Sequence, residues 1–345
     1  MKCYKLILYT AFFLLPFLSA AQSDTLNRTD SKGKKQGYWK KYDNGLLQYE
    51  GRFDNDIPTG EFRYYHENGE IKSVSNFMNG THRVKTTLFH PNGKKSAEGL
   101  FVDQIKDGEW LYYSDKGTLI RKESYKKGIK HGEWKTYSAQ TGLLLVEENY
   151  DSGLLNGIRK TYYTDGDIQT SISYINGKKN GIAETYRLEK KLASRGLYHQ
   201  NFMTGVWEFY DDTQKKRREV EFMNDEPLKT YLYFYQGNVP QKLNQSVIAY
   251  FQKTGDQLQV VTTENKVLVV NEIFEELKYW VDALDFIQIT PSIMASYGAL
   301  KGYRDLGDGE IVVLLEPAPS HDIIAKDDFA RLVISLFDNS KPQLD

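Results

Sequence analysis

Glycine and aromatic residues recur along the chain every 23 to 25 residues, between about Gly37 and Gly237. Each unit contains two short runs in which polar and apolar residues alternate, and this alternation is typical of β-strands whose two faces differ. A turn signal such as Asn44 followed by Gly45 separates the two runs, and a second turn ends the unit. The pattern predicts a series of β-hairpins joined end to end.

The first residue of most units is a glycine, which we call the anchor glycine. Glycine adopts positive φ without a steric penalty, so we expect these residues to serve the backbone and to contribute no chemistry. The anchor glycines are Gly37, Gly60, Gly108, Gly132, Gly157, Gly181 and Gly205, and Arg83 and Leu228 take that place in two divergent units.

Aromatic residues occupy three positions of the unit. The second residue after the anchor is Trp39, Phe62, Trp110, Trp134 or Trp207. The fifth is usually tyrosine, from Tyr42 to Tyr233, and a late aromatic such as Phe53 or Tyr198 precedes the second turn. Counting cross-strand partners through a tight turn places the fifth-position tyrosines and the late aromatics on one face, and the second-position residues on the other.

This assignment suggests different roles for the two faces. Cross-strand aromatic pairs stabilise sheets, so the tyrosine and phenylalanine ladder is interpreted as packing. The second-position residues, separated from that ladder, are the candidate binding residues, and packing is the competing interpretation. These candidates are Trp39, Phe62, Trp110, Trp134 and Trp207.

Residues 1–21 have the features of a secretory signal sequence. Lys2 and Lys5 precede an apolar stretch, and small residues end it at Ala21. Cys3 is the only cysteine, so the exported chain would have no disulfide, thiolate metal site or cysteine nucleophile. We therefore expect a bacterial exported protein, located in the periplasm, on the outer-membrane surface or outside the cell.

The repeats stop near Pro240, and the remaining residues have a different character. Residues 241–345 contain 9 basic and 16 acidic residues, whereas the whole chain has a formal net charge of −1, an asymmetry too small to indicate nucleic-acid binding. Apolar spacing predicts helices near residues 243–251, 273–284 and 329–337, a hairpin formed by residues 258–263 and 266–270, and a buried strand at 311–315. We expect a small α+β domain that could cover the last strand of the repeats.

The repeat residues resemble a known family. Gly-Glu-Trp-Leu-Tyr-Tyr at 108–113, Gly-Glu-Trp-Lys-Thr-Tyr at 132–137 and Tyr-Ile-Asn-Gly-Lys-Lys-Asn-Gly at 174–181 are similar to MORN-type repeats, in particular to the variant in exported bacterial proteins, some of them labelled antitoxin-like. The resemblance covers residues 33–237 and departs from the pattern at Arg83, Ala183 and Leu228, and at Lys190, where there is no clear Asn-Gly turn. It implies a mainly β fold: an elongated single-layer antiparallel hairpin array followed by the α+β domain of residues 241–345.

The resemblance also implies a function class, since MORN-like arrays contact proteins and membrane lipids and act as scaffolds. We expect a non-catalytic exported protein that binds a protein or cell-envelope partner, without cofactor, metal or nucleic acid. An anionic-lipid binder, an exported antitoxin-like component and an enzyme using His321 and Asp322 are the alternatives. The lysines that would contact lipid are Lys32, Lys34, Lys35, Lys126, Lys127, Lys130, Lys178 and Lys179.

Overall fold

The structure is a computed structural model that describes residues 26–78 and 81–338. The predicted signal sequence and the predicted turn at residues 79–80 lie outside the described residues. The chain divides into two compact units, one formed by residues up to 107 together with 115–117, and the other by residues 108–114 and 118 onward. Within the described residues, no helix has the length and apolar character needed to cross a membrane.

The described part of the first unit is a ladder of antiparallel strands, each paired with its neighbour in sequence. Its strands are β1 (Arg28–Thr29), β2 (Lys35–Asp43), β3 (Leu46–Asp54), β4 (Ile57–Tyr65), β5 (Ile71–Phe77), β6 (Arg83–Phe89) and β7 (Lys95–Val102).

The second unit continues the same hairpin pattern. Its repeat strands are β8 (Ile105–Tyr113), which begins at the boundary, β9 (Leu119–Lys126), β10 (Ile129–Lys130), β11 (Gly132–Tyr137), β12 (Leu144–Asp151), β13 (Leu154–Leu155), β14 (Gly157–Tyr162), β15 (Ile168–Ile175), β16 (Lys178–Tyr186), β17 (Leu192–His199), β18 (Phe202–Tyr210), β19 (Lys216–Met223), β20 (Glu226–Gln236) and β21 (Val239–Asn244). A short 3-10 helix, Leu188–Lys190, lies in the turn between β16 and β17. The predicted mainly β hairpin repeat is confirmed.

The anchor glycines have the backbone conformation that their residue type suggested. All seven have positive φ, from 63° at Gly205 to 114° at Gly157, a region that residues with a Cβ rarely enter. Each anchor glycine also pairs directly with a late aromatic residue across its hairpin. These pairs are Gly37 with Phe53, Gly60 with Phe77, Gly108 with Tyr125, Gly132 with Tyr150, Gly157 with Tyr174, Gly181 with Tyr198, and Gly205 with Phe222.

That pairing shows that the predicted assignment of faces was wrong. Opposed residues lie on one face, so the late aromatic shares its face with the anchor and with the second residue after it, not with the fifth. The cause is a register shift beside the fifth residue in these hairpins, for example between Lys41 and Tyr42 and between Thr185 and Tyr186. A bulge adds one residue to one strand and so breaks the turn arithmetic.

One strand of the first unit, β2, and one strand of the second, β21, carry features that limit further pairing. Beside β2, the Asn27 side chain accepts a hydrogen bond from the Lys40 backbone N–H at 2.7 Å and donates to the Lys40 carbonyl at 3.0 Å. In the second unit, β21 pairs with β20 and contains Pro240, which has no backbone N–H to donate.

The residues after β21 form two small sheets and one helix. The strands are β22 (Ile248–Thr254), β23 (Gln257–Thr262), β24 (Val267–Val270), β25 (Phe286–Thr290), β26 (Ile293–Ser296), β27 (Leu300–Gly307), β28 (Glu310–Leu315) and β29 (Ile323–Ala325), the α-helix is α1 (Asp327–Asp338), and short 3-10 helices cover Gln245–Val247, Phe274–Tyr279 and Tyr297–Ala299. Strand order is β24-β23-β22-β26-β25 in one sheet and β27-β28-β29 in the other. The predicted hairpin, buried strand and last helix are present.

The other two helices predicted in this region were wrong. Residues 248–254 form the central strand β22, whose consecutive apolar residues enter two cores: Ile248 and Phe251 enter one, Ala249 and Tyr250 the other. A strand buried on both faces has no polar alternation, so its apolar run imitates helical spacing. Near 273–284 the helical pattern yields only the 3-10 helix Phe274–Tyr279.

The five-stranded C-terminal sheet packs on the last repeat. Leu232 and Phe234 of β20 belong to the same buried cluster as Phe251 and Leu258, and the rings of Phe234 and Phe251 lie 6.0 Å apart. The domain therefore covers one face of β20, whereas the sequence suggested that it would cover the outermost strand.

Candidate binding surface

The five candidate binding residues lie in the core of the repeats. Phe62 and Trp110 are 1% exposed, and Trp134 and Trp207 are also buried, whereas Trp39 is partly buried. They pack against late aromatic residues, with ring centroids 5.2 Å apart for Phe62 and Phe77 and 5.4 Å for Trp134 and Tyr150. We call this side of each hairpin the aromatic face. These residues were predicted to bind because they were expected to lie apart from the late aromatics. The structure instead packs them against those aromatics.

Further contacts on the aromatic face are those of a packed core. Trp134 Nε1 donates to the Ser124 carbonyl and Trp207 Nε1 to the Leu197 carbonyl, both at 3.0 Å, so both indole N–H groups have partners. Trp207 also lies over Gly196, where an added Cβ would stand 2.1 Å from its ring. The tryptophan ring fills the space that a side chain at residue 196 would need.

Lysines cover the outer edge of this core. Lys130 Nζ lies 4.2 Å from the centre of the Trp134 ring and 4.5 Å from that of Tyr150, and Lys179 Nζ lies 4.7 Å from Tyr198. Such cation–π contacts stabilise the packed ring and leave the charge near water. Three of the eight lysines proposed to meet lipid, Lys35, Lys130 and Lys179, are thus placed over aromatic rings.

The fifth-position tyrosines lie on the opposite face and donate hydrogen bonds to glutamates. The phenol–carboxylate distances are 2.5 Å for Tyr65 and Glu50, 3.1 Å for Tyr162 and Glu147, 2.7 Å for Tyr186 and Glu184, 2.9 Å for Tyr210 and Glu208, and 2.7 Å for Tyr233 and Glu219. The contacts of Tyr65, Tyr162 and Tyr233 join neighbouring strands, whereas those of Tyr186 and Tyr210 lie within one strand. The predicted aromatic ladder with the late aromatics is absent from the described residues.

Glu219 has the densest set of these contacts. Lys216 and Lys242 each approach one of its carboxylate oxygens, at 2.9 and 2.6 Å, and the side chain is 13% exposed. Although burial opposes ionisation, hydrogen bonds from Lys242, Lys216 and Tyr233 lower the pKa of Glu219 to about 2. The carboxylate is therefore a stabilising structural anion at neutral pH.

The opposite face also carries a contiguous apolar surface, which the sequence reading did not identify. We call it the apolar patch. Its members are between 44% and 50% exposed and lie on β13 to β18: Leu154, Ile158, Ile175, Ile182, Leu197, Phe202 and Val206.

The strand register places these side chains together. Ile182 pairs directly with Leu197, and Ile182 and Val206 each precede a buried residue of the aromatic face, so they point away from it. Leu154, Ile175 and Phe202 each belong to the last pair before a second turn. Neighbouring second turns are hydrogen-bonded to one another, as by Gly177 N–H to the Leu155 carbonyl at 2.8 Å.

Earlier hairpins of the second unit carry charges at one position of this face, although Ile129, beside their second turn, is also exposed. The residue after the anchor is Glu109 in one hairpin and Glu133 in the next, and Lys122 lies between them at 2.6 and 3.9 Å. In the later hairpins the same position holds Ile158, Ile182 or Val206. This switch from glutamate to isoleucine or valine at one repeat position was the sequence signal that could have revealed the patch.

The C-terminal residues considered for catalysis do not form a cluster around His321. The imidazole contacts Ser320 and Gln252, while Asp322 pairs with Arg304 at 2.9 Å and Glu310 pairs with Lys326. Within the described residues, no group of three or more His, Cys, Asp or Glu side chains is arranged to hold a metal ion.

Three segments of the chain, residues 58–79, 106–127 and 155–176, match the family model described as MORN repeat variant. These three segments are MORN-variant repeats. The resemblance expected from the sequence is confirmed at these segments, and repeats of this family are generally binding or scaffold modules. No curated protein matches this chain.

Solved structures similar to parts of this chain include the LytTr DNA-binding domain of a putative response regulator from Bacillus cereus. The two sequences are 11% identical, the match covers 32% of this chain and 94% of that chain, and the TM-score is 0.26. The TcdB2-TccC3 structure has 11% identity, covers 72% of this chain and 18% of that chain, and has a TM-score of 0.19. TM-scores this low do not establish a shared fold.

Proposed function

We propose that this chain is an exported, non-catalytic binding protein whose MORN-variant repeats hold a protein partner through the apolar patch. The observation that carries the proposal is the half-exposed state of seven large apolar side chains on adjacent strands, opposite a packed aromatic face. Contiguous apolar surface is uncommon on soluble proteins and usually marks a contact site.

The composition of the patch favours a protein partner. Branched aliphatic residues with one phenylalanine, Phe202, supply apolar area with little side-chain entropy to lose on binding. Rigid strands hold them in fixed positions, so a complementary surface could pack against them without ordering a loop. Export rests on the predicted signal sequence, and an envelope or extracellular partner follows from it.

The test compares two triple variants with the same chemistry. Ile182→Ser, Leu197→Ser and Val206→Ser together remove the centre of the patch. The control carries Val267→Ser, Leu314→Ser and Ile324→Ser, which change equally exposed residues of the same types in the C-terminal sheets. We expect crosslinking in envelope extracts to recover a defined partner with the wild type and the control but not with the patch variant. Equal recovery by the folded patch variant would remove the proposal.

An anionic-lipid surface is the second candidate, and one observation favours it. Lys178 pairs directly with Ile175 of the patch, so a cation lies beside the apolar surface. However, Asp151 pairs with Leu154 at the neighbouring turn, which places an anion in the equivalent position. Flotation with vesicles containing phosphatidylserine separates the candidates: salt-sensitive co-flotation that the patch variant loses would favour lipid over protein.

A further inference from the structure

A groove separates the late repeat turns from the C-terminal segment that contains the 3-10 helix Phe274–Tyr279. Its volume is about 660 Å³, within the usual range of ligand sites. Its walls come from the turn after β16, from β17 to β19 with the turn after β18, and from residues 271–280. The lining includes Arg187, Phe209, Asp212, Glu276, Tyr279 and Trp280. The groove lies beside the C-terminal domain and shares no residue with the apolar patch.

Buried ion pairs fix one wall of the groove. Arg217 Nε lies 2.6 Å from Asp211, and Arg217 Nη1 lies 2.6 Å from Glu272 of the C-terminal segment, with both members of the second pair 12% exposed. Glu272 also accepts the backbone N–H of Tyr235 at 3.0 Å. These contacts tie the segment to β19 and β20, so the groove is formed before any ligand arrives.

The accessible part of the lining combines aromatic rings with carboxylates. Tyr279 is 69% exposed, Trp280 lies next to it, and Glu276 is exposed on the same short helix. Across the groove, the 77%-exposed Asp212 side chain lies 3.2 Å from Arg187. Counted together, the lining contains four carboxylates against two arginines.

These groups are suited to a cation attached to an apolar stem. Aromatic faces attract ammonium and guanidinium groups, and excess negative charge favours a positively charged partner over a negative one. We propose that this groove binds an extended peptide segment that contains lysine or arginine. Its aliphatic side-chain stem would lie along Tyr279 and Trp280, with the charge toward Glu276 and Asp212. It would replace Lys278, whose Nζ lies 5.0 Å from the centre of the Tyr279 ring.

Titration calorimetry on the full exported chain tests the proposal with defined probes. A blocked hexapeptide that alternates lysine and leucine is compared with the same peptide carrying glutamate for lysine, and with spermidine. We expect saturable one-to-one binding of the lysine peptide, no saturation with the glutamate peptide, and binding of spermidine at least about tenfold weaker, because spermidine lacks the apolar side chains.

Variants then locate the site. Asp212→Asn with Glu276→Gln should weaken lysine-peptide binding at least about tenfold, and Tyr279→Leu about threefold, because leucine keeps apolar area but loses the ring. The control, Glu264→Gln with Asp308→Asn, removes two exposed carboxylates outside the groove and should bind as the wild type does. Unfolding temperature is measured for each variant, so a folding defect is recognised. No saturation by the lysine peptide, equal binding of spermidine, or unchanged binding by the folded groove variant would each overturn the proposal.

Discussion

The hairpins formed by β8 to β12 and those formed by β14 to β18 share a backbone pattern but differ on one face. Both sets pair an anchor glycine with a late aromatic residue. On the opposite face, the earlier hairpins carry Glu109 and Glu133, and the later ones carry Ile158 and Ile182. The aromatic face thus maintains the fold, and differences between repeats on the other face determine what each part of the ladder can contact.

The largest expected effect on stability comes from removing a buried tryptophan from the aromatic face, which both sets of hairpins share. Trp134→Ala in the earlier hairpins and Trp207→Ala in the later ones should each destabilise the protein by about 4 kcal/mol, because each removes a buried ring and leaves a cavity. Urea unfolding monitored by circular dichroism measures this. A loss below about 1 kcal/mol for either variant would show that the aromatic face is not the common core.

Acid should weaken the later region through Glu219. Its folded-state pKa of about 2 lies below the ordinary value of 4.5 for a glutamate side chain, so its stabilisation is complete above about pH 4.5 and is lost as pH falls toward 2. The shift corresponds to on the order of 3 kcal/mol. Unfolding free energy measured from pH 7 to 3 should fall less steeply in Glu219→Gln than in the wild type. Parallel curves would contradict the role of this carboxylate.

Close packing over glycine gives the next effect. Gly196→Ala should destabilise the protein by about 2 kcal/mol, because the new methyl group would overlap the Trp207 ring. Gly298→Ala is the matched control, since nothing lies within 4 Å of its added methyl group. Thermal unfolding of the two variants measures the difference, and equal melting temperatures would refute the packing explanation.

The smallest effect on stability is expected when the residues after the anchor glycine are exchanged between the two sets of hairpins. This exchange tests directly whether these residues determine binding. Ile158→Glu with Ile182→Glu gives the later hairpins the surface of the earlier ones, and we expect a stability change below about 1 kcal/mol because both side chains are half exposed. Partner capture should nevertheless be lost. In the reciprocal variant, Glu109→Ile with Glu133→Ile, capture should remain. If the Ile158→Glu, Ile182→Glu variant still captured the partner, the apolar patch would not be the binding surface.

The repeat period, the anchor glycines and the hairpin pattern could be predicted because each depends on local sequence. The assignment of side chains to the two faces could not be predicted, because it depends on a single-residue bulge beside the fifth position, as at Tyr42. The bulge moves every later side chain of that strand to the other face relative to its partner strand. The apolar patch could not be predicted from the repeat pattern either, because it depends on residues that differ between repeats. Ile182, for example, takes the position that Glu109 and Glu133 hold in earlier hairpins. In the C-terminal domain, Phe251 lies in a strand buried on both faces, which periodicity does not distinguish from a helix.

The hydrogen bonds of Asn27 to Lys40 and the proline in β21 have a consequence for assembly. An open ladder of hairpins could otherwise recruit further copies strand by strand and grow into fibres of undefined length. The amide side chain that occupies the backbone of β2 and the missing donor at Pro240 of β21 therefore discourage further pairing at these two strands.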